Sequence, residues 1–153
     1  MRIRQARQED AGEISGFLQQ LQALGKRSMP SDEGFVLDHY IMHPDALSCA
    51  VAEDEGGALI GLQSLKRASR DNPYGVTPGW GIIGTHVKPG EERRGVGRAL
   101  FASTLEAAQA AGLKKIDASM AARSAEALGF YEALGFQTYR TTESQVCKCF
   151  DVP

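Results

Sequence analysis

The stretch from Trp80 to Ala111 limits what this chain can fold into more than any other part of it. Trp80 to Val87 is rich in apolar and β-branched residues and reads as a strand, which Pro89-Gly90 stops. Gly95 to Ala111 reads as a helix: Val96, Leu100, Ala107 and Ala111 form one apolar stripe, Phe101, Leu105 and Ala108 a second, and Gly112 ends it. Two stripes leave such a helix little surface for water, so it must be largely buried. A strand joined by a short turn to a buried helix belongs in a layered α/β chain.

The turn between them, Val87-Lys88-Pro89-Gly90-Glu91-Glu92-Arg93-Arg94-Gly95-Val96-Gly97-Arg98-Ala99-Leu100, carries the chemistry. Glycines at a helix opening let a ligand approach the backbone, and the first-turn N–H groups have no partners inside the helix. Their partial positive charge, added to Arg93, Arg94 and Arg98, suits a pyrophosphate or an adenosine 3′-phosphate. A glycine pair here also fits a tight turn with close helix packing. The lysine-serine or lysine-threonine pair of a phosphate-binding loop is missing, as is a complete dinucleotide fingerprint, so nucleoside triphosphate and NAD readings fall behind.

Around this centre the chain alternates its periodicity. Met1 to Ala6 reads as a strand, and Gln8-Glu9-Asp10 opens a helix whose stripe is Ile14, Phe17, Leu18, Leu21 and Leu24, with Gly25 ending it. Ser31 or Asp32 caps a second helix through about Tyr40, which His43-Pro44-Asp45 breaks. Leu47 to Glu53 and Ala58 to Lys66 form a hairpin around Asp54-Glu55-Gly56-Gly57. Ala68 to Gly79 is an exposed connection of a length that often touches ligands. Leu113 to Ala118 is a strand, Ser124 to about Leu134 a helix closed by Gly135, and Phe136 to Arg140 and Gln145 to Phe150 are closing strands. The order β-α-α-β-β-β-α-β-α-β-β predicts a mixed sheet with helices on both faces, in one domain spanning residues 1–153.

Charge and cysteine usage exclude several classes. The net charge of −2 and the short basic clusters Arg93-Arg94 and Lys114-Lys115 argue against nucleic acid as a partner. No apolar run approaches the roughly 20 residues that cross a bilayer, so no membrane association is expected. Cys49, Cys147 and Cys149 are odd in number, and the Cys147-x-Cys149 spacing is wrong for the usual zinc pairs, so a reducing, cytoplasmic setting without a metal is expected.

The glycine-rich turn resembles the coenzyme A binding motif of the GCN-five-related N-acetyltransferase superfamily: a Gln or Arg, two residues, Gly, one residue, then Gly or Ala. Gly95 and Gly97 fill the glycine positions; Glu92 stands where the family has Gln or Arg, with Arg93 and Arg94 beside it. A second stretch, Ser124-Ala125-Glu126-Ala127-Leu128-Gly129-Phe130-Tyr131-Glu132-Ala133-Leu134-Gly135-Phe136, is similar to the family's Asn-x-x-Ala-x-x-x-Tyr-x-x-x-Gly-Phe segment, with Ser124 in place of Asn. The hairpin Val51 to Gly61 resembles the family's second and third strands.

The resemblance implies a mostly antiparallel sheet of about seven strands. In that fold strands four and five splay into a V-shaped cleft for the pantetheine arm of acetyl-coenzyme A. Cofactor contacts then fall on main-chain groups near His86 and Val87, on Arg93, Arg94, Gly95, Val96, Gly97, Arg98 and Ala99, and on Ser124 and Tyr131. The implied reaction moves an acetyl group from acetyl-coenzyme A to a primary amine of a small molecule or peptide by direct attack in a ternary complex. Tyr131 aligns with the family tyrosine that faces the thioester sulfur and would protonate the departing thiolate.

An attacking amine with a pKa of about 10.4 must lose its proton to a base or in a desolvating site. The glutamate that family members often carry on strand four is missing. His86 is the one titratable side chain there, with an ordinary pKa near 6.5, and Thr85 on the opposite face could hold a relaying water. Period-two alternation sets His86 with Trp80, Ile82 and Gly84. His39 and His43 fall in the region that lines the acceptor pocket of the resembled fold, and Asp71, Asn72, Tyr74 and Trp80 flank the cleft loop. Glu92, Ser124 and the missing glutamate keep a second reading open, a non-catalytic coenzyme A binding or acyl-coenzyme A sensing module. Some relatives dimerise through the closing strands, so Phe136 to Phe150 is the expected surface of a homodimer.

Overall fold

The computed structural model describes residues 1–153. Seven strands form one sheet: β1 (Arg2–Gln5), β2 (Ala46–Glu53), β3 (Leu59–Arg67), β4 (Gly81–Val87), β5 (Lys115–Ala121), β6 (Gln137–Thr141) and β7 (Gln145–Asp151). Their spatial order is β1-β2-β3-β4-β5-β7-β6. Every neighbouring pair is antiparallel except β4 and β5, which run parallel and pair only at Gly81↔Ile116 and Ile82↔Asp117. Beyond Ile82 the two strands separate, so the β5-facing edge of β4 from Ile83 to Val87 is left without a neighbouring strand.

Four helices cover the sheet. α1 (Ala11–Ala23) buries Ile14, Phe17, Leu18 and Leu21 against Val51 and Leu62, joined by Val36 and Tyr40. On the opposite face α3 (Val96–Ala110) and α4 (Ala125–Leu134) pack Phe101, Ala108 and Tyr131 onto Leu65, Ile83, Ile116 and Ala118. Alternation along β4 therefore decides what each side chain meets: Gly81, Ile83, Thr85 and Val87 face α3 and α4, while Ile82, Gly84 and His86 face the first two helices. Gly81 and Gly61 are the small residues that let these layers meet. A Cβ on Gly81 would stand 2.8 Å from Leu113 Cδ1, and one on Gly61 2.6 Å from Val96 Cγ1.

The second helix departs from the expectation of a regular α-helix to Tyr40. Asp32 does cap it, accepting the Phe35 N–H at 3.1 Å, but α2 makes only one turn (Glu33–Phe35) before continuing as a π-helix over Val36–Ile41. The wide turn closes with the Met42 N–H on the Leu37 carbonyl at 2.7 Å and brings the Tyr40 hydroxyl to Arg27. The fifth strand is shifted as well, starting at Lys115 rather than Leu113 and running to Ala121. Leu113 belongs to the end of α3: its N–H bonds back to Ala108 across Gly112, whose φ of 71° only glycine adopts freely. Asp10 serves the helix start as expected, its carboxylate closing a capping box on the N-cap residue Arg7. It is held by Arg4 at 2.8 Å and accepts the Arg7 N–H at 2.7 Å.

Candidate functional site

The site begins where β4 leaves β5. At the far end of β4 the chain turns through Lys88 to Gly95 into α3, with Arg93 at φ 64° and Gly95 at φ 77°. Two left-handed residues around Arg94 curl the backbone into a concave run of amides, the arrangement that binds anions. None of the N–H groups from Arg93 to Arg98 has a partner within the chain; the first to be bonded is Ala99, on the Gly95 carbonyl at 3.0 Å. Ala99 therefore differs from the expectation, because its amide is already spent inside the helix. Arg93 and Arg98 are exposed, and Arg94 pairs with Glu91 at 2.5 Å. Glu92 turns back to accept the Gly90 N–H at 2.9 Å and lies 3.8 Å from Lys26, so its carboxylate does not block the amides.

The two glycines have different causes. Gly95 needs its left-handed φ and has no atom near the place of a Cβ. A Cβ on Gly97 would stand 2.5 Å from the Phe130 ring, so Gly97 is set by the close approach of α3 and α4. Val96 likewise turns its side chain into the sheet against Gly61, leaving only its N–H to the turn. The Ser124 hydroxyl, expected beside a pantetheine arm, accepts the Ala127 N–H at 3.3 Å and caps α4, which leaves its own proton free to donate.

Tyr131, buried on α4, meets the inner face of β4. Its hydroxyl lies 2.9 Å from Thr85 Oγ1, which also accepts Gln63 Nε2 at 2.9 Å. Burial pushes the phenol up to about 12 against the lowering effect of the Thr85 bond, so the ring keeps its proton at neutral pH. This chain of three side chains joins β3, β4 and α4 at the place where β4 has lost its β5 partner.

His86 lies on the other face of the same strand, its Nε2 3.3 Å from the Tyr40 hydroxyl. Burial first, then the charge of Arg27 and the neighbouring His39, depress it from 6.5 to about 3. The expectation of an ordinary imidazole near 6.5 is thereby corrected: His86 is neutral at pH 7 and a weak proton acceptor. Thr85 and His86 stand on opposite faces, so they form no relay with each other.

On the His86 side a cleft of about 300 Å³ opens beside Ile82, lined by His39, His43, Asp45, Lys66, Arg67, Ser69, Asp71, Asn72, Pro73 and Tyr74. His39, His43, Asp71, Asn72 and Tyr74 were expected to flank the cleft loop or the acceptor region, and the fold brings all five into one wall. Asn72 builds that wall, with Nδ2 donating to the Ser69 and Val76 carbonyls at 2.8 Å each. Trp80 is apart from it, its ring tilted against Tyr139 with centroids 5.3 Å apart, where Tyr139 donates to the buried Asp117 at 2.5 Å.

Lys66, Arg27 and Tyr40 were missed at the sequence level. Lys66 shares an inward face with Leu62 and Ser64 by simple alternation, so a lysine in that register was a legible signal. Arg27 sits in a connecting loop and gives no such cue. It donates to Ser31 Oγ at 3.0 Å, to the Tyr40 hydroxyl at 2.9 Å and to the Pro30 carbonyl at 2.6 Å.

Comparison with known proteins agrees with this architecture. Across 98% of this chain and 96% of the other, the fold matches a GCN5-related N-acetyltransferase from Kribbella flavida with a TM-score of 0.82 at 17% identity. A GNAT-family acetyltransferase from Streptococcus pneumoniae matches with a TM-score of 0.77 at 17% identity, covering 99% of each chain. The Salmonella typhimurium protein yncA, solved with its cofactor acetyl-CoA, matches at 0.76 with 16% identity over 100% of this chain and 94% of that one. No curated protein matches the sequence significantly. No helix is long and apolar enough to cross a membrane. The family model described as the acetyltransferase (GNAT) family matches residues 12–136. A sheet split between β4 and β5, a turn of unbonded amides at the end of β4 and that match over most of the sequence lead to one conclusion: this chain belongs to the GNAT acetyltransferase family.

Proposed function

We propose that this chain, read as one domain over residues 1–153, transfers an acetyl group from acetyl-coenzyme A to the primary amine of a small molecule or peptide by direct attack. The observation that carries the reading is the run of unbonded amides from Arg93 to Arg98, in line with the open edge of β4. The amides and the exposed Arg93 and Arg98 side chains fit a diphosphate, and main-chain groups of β4 near His86 and Val87 fit an amide-rich arm laid along them like an added strand. Val87 to Ile82 is five residue steps, about 17 Å, which is enough strand to lead such an arm from the turn to the cleft.

When bound, acetyl-coenzyme A supplies the activated acyl group, and the chain must manage two protons around it. Tyr131 holds one. Its phenol, kept protonated by burial, is the donor for the thiolate that leaves, with Thr85 and Gln63 fixing its direction. The other proton belongs to the amine. His86 at about 3 is too weak to take it, since an ammonium near 10.4 would have to give up its proton steeply uphill. We assign His86 the part of an aligned neutral ring behind the acceptor, and the deprotonation to the cleft itself. Lys66 reports what that cleft does to an amine: burial there lowers its own ammonium from 10.5 to about 8. An acceptor amine beside it meets the same desolvation.

The reading extends to a reducing, cytoplasmic setting, in which Cys49, Cys147 and Cys149 stay as free thiols. Two measurements test it together. Calorimetry should show acetyl-coenzyme A binding, and a thiol-release screen with diverse amines should find turnover. Binding without turnover of any amine would support the sensing module instead, and absence of binding would remove both.

A further inference from the structure

We infer that the acceptor is an amine that also carries a carboxylate, of the amino-acid kind, and that Lys66 in the cleft wall binds this acid group. The inference rests on the transferase reading above and names the substrate class of the same site. Lys66 is only 7% exposed, yet it lines the cleft. Its ammonium has no hydrogen bond and no carboxylate within ion-pair distance; the charge-related contact it does make is the Tyr40 ring, 5.8 Å from Nζ. Asp45 on the same wall favours the charged form only through space and forms no ion pair with it, so the ammonium opening to the cleft has room for a carboxylate partner.

Lys66 is not alone in this. Arg27, 8% exposed, spends its donors on a serine hydroxyl, a tyrosine hydroxyl and a backbone carbonyl, so it too lacks a carboxylate partner. Two buried cations without ion-pair partners thus stand on this side of β4, with Asp45 and Asp71 the acids of the same cleft. His39 is lowered to about 4 chiefly by its burial, with the charges of Lys66, His43 and Arg27 adding to it. The diphosphate site does not account for Lys66, which pairs opposite Ile82 at the end of β4 remote from the α3 turn, about 17 Å along the strand.

The remainder of the lining fits the rest of such a molecule. Asp45 and Asp71 border the same cleft and suit the ammonium of an arriving zwitterion. A polyamine or aminoglycoside, carrying cations alone, would set like charge against Lys66. An amino acid sets its carboxylate on Lys66 and turns its amine toward β4.

The test uses the intact chain with acetyl-coenzyme A and matched acceptors differing only in the carboxylate: leucine against 3-methylbutylamine, methionine against 3-(methylthio)propylamine, phenylalanine against 2-phenylethylamine. The acid-bearing member of at least one pair should win by about tenfold or more in kcat/KM. Lys66→Met should erase that preference by raising KM while kcat stays within about threefold, and Lys66→Arg should restore much of it. Three results overturn the inference: equal use of both members, a preference that survives Lys66→Met, or turnover of neither member of any pair by a chain that binds acetyl-coenzyme A in the calorimeter. Failure to bind acetyl-coenzyme A overturns the transferase reading itself, and this inference with it.

Discussion

Gly97→Ala isolates the reason for one motif glycine. The family pattern tolerates alanine at this place, but here a Cβ would stand 2.5 Å from Phe130 Cε1 and 2.7 Å from Cζ. Carbon atoms pack comfortably at about 3.5–4.0 Å, so the ring must swing by an ångström or more, losing its edge contact with Tyr131, whose centroid is now 4.9 Å away. Overpacking of this kind costs about 1–3 kcal/mol. For a chain of this size each kcal/mol is worth roughly 2–4 °C, so the melting temperature should fall by roughly 2–12 °C. The second arm is Phe130→Leu. With the ring gone, alanine has room, and its better helix propensity should make Gly97→Ala neutral or stabilising by up to about 1 kcal/mol in that background. Urea unfolding of the four proteins gives the coupling energy, and calorimetry of the double variant should return wild-type affinity for acetyl-coenzyme A, because the amide at residue 97 is unchanged. A single variant as stable as wild type, or the same loss in both backgrounds, would refute the packing account.

Other expectations follow from the site. Tyr131→Phe should lower kcat by about a hundredfold with little change in acetyl-coenzyme A affinity, as read by steady-state thiol release and calorimetry; unchanged turnover removes the donor role. Acid should destabilise the fold earlier than carboxylate titration alone would. His86 and His39 are depressed to about 3 and about 4, so below the unfolded value near 6.5 the unfolded chain binds protons that the native chain refuses. Their stabilisation is complete above 6.5 and is lost as pH falls toward 4, at up to about 1.4 kcal/mol per pH unit for a fully excluded ring and less for the half-exposed His39. Urea midpoints measured from pH 7 to 5 should decline, and His86→Gln should flatten the decline; a level wild-type profile would show that the rings are solvated.

The sequence alone determined the order of elements and the place of the glycine-rich turn. Apolar stripes at three- and four-residue spacing, alternation along strands and the glycine and proline breaks are local properties, and each strand and helix they outlined is present within a few residues. The departure came where tertiary contact outweighed local preference: the π-helix that delivers Tyr40 to Arg27. Tyr131 and Thr85 are 46 residues apart, and no periodicity says that their hydroxyls meet. Likewise Lys66, Arg27, His39 and His86 come from a strand, a loop, a helix and another strand, and only the packing of α1 and α2 over β3 and β4 gathers them around the Tyr40 ring. Periodicity reports which face of an element is dry; which charges share that dry space, and so how far each is shifted, depends on distances between elements that only the folded sheet sets.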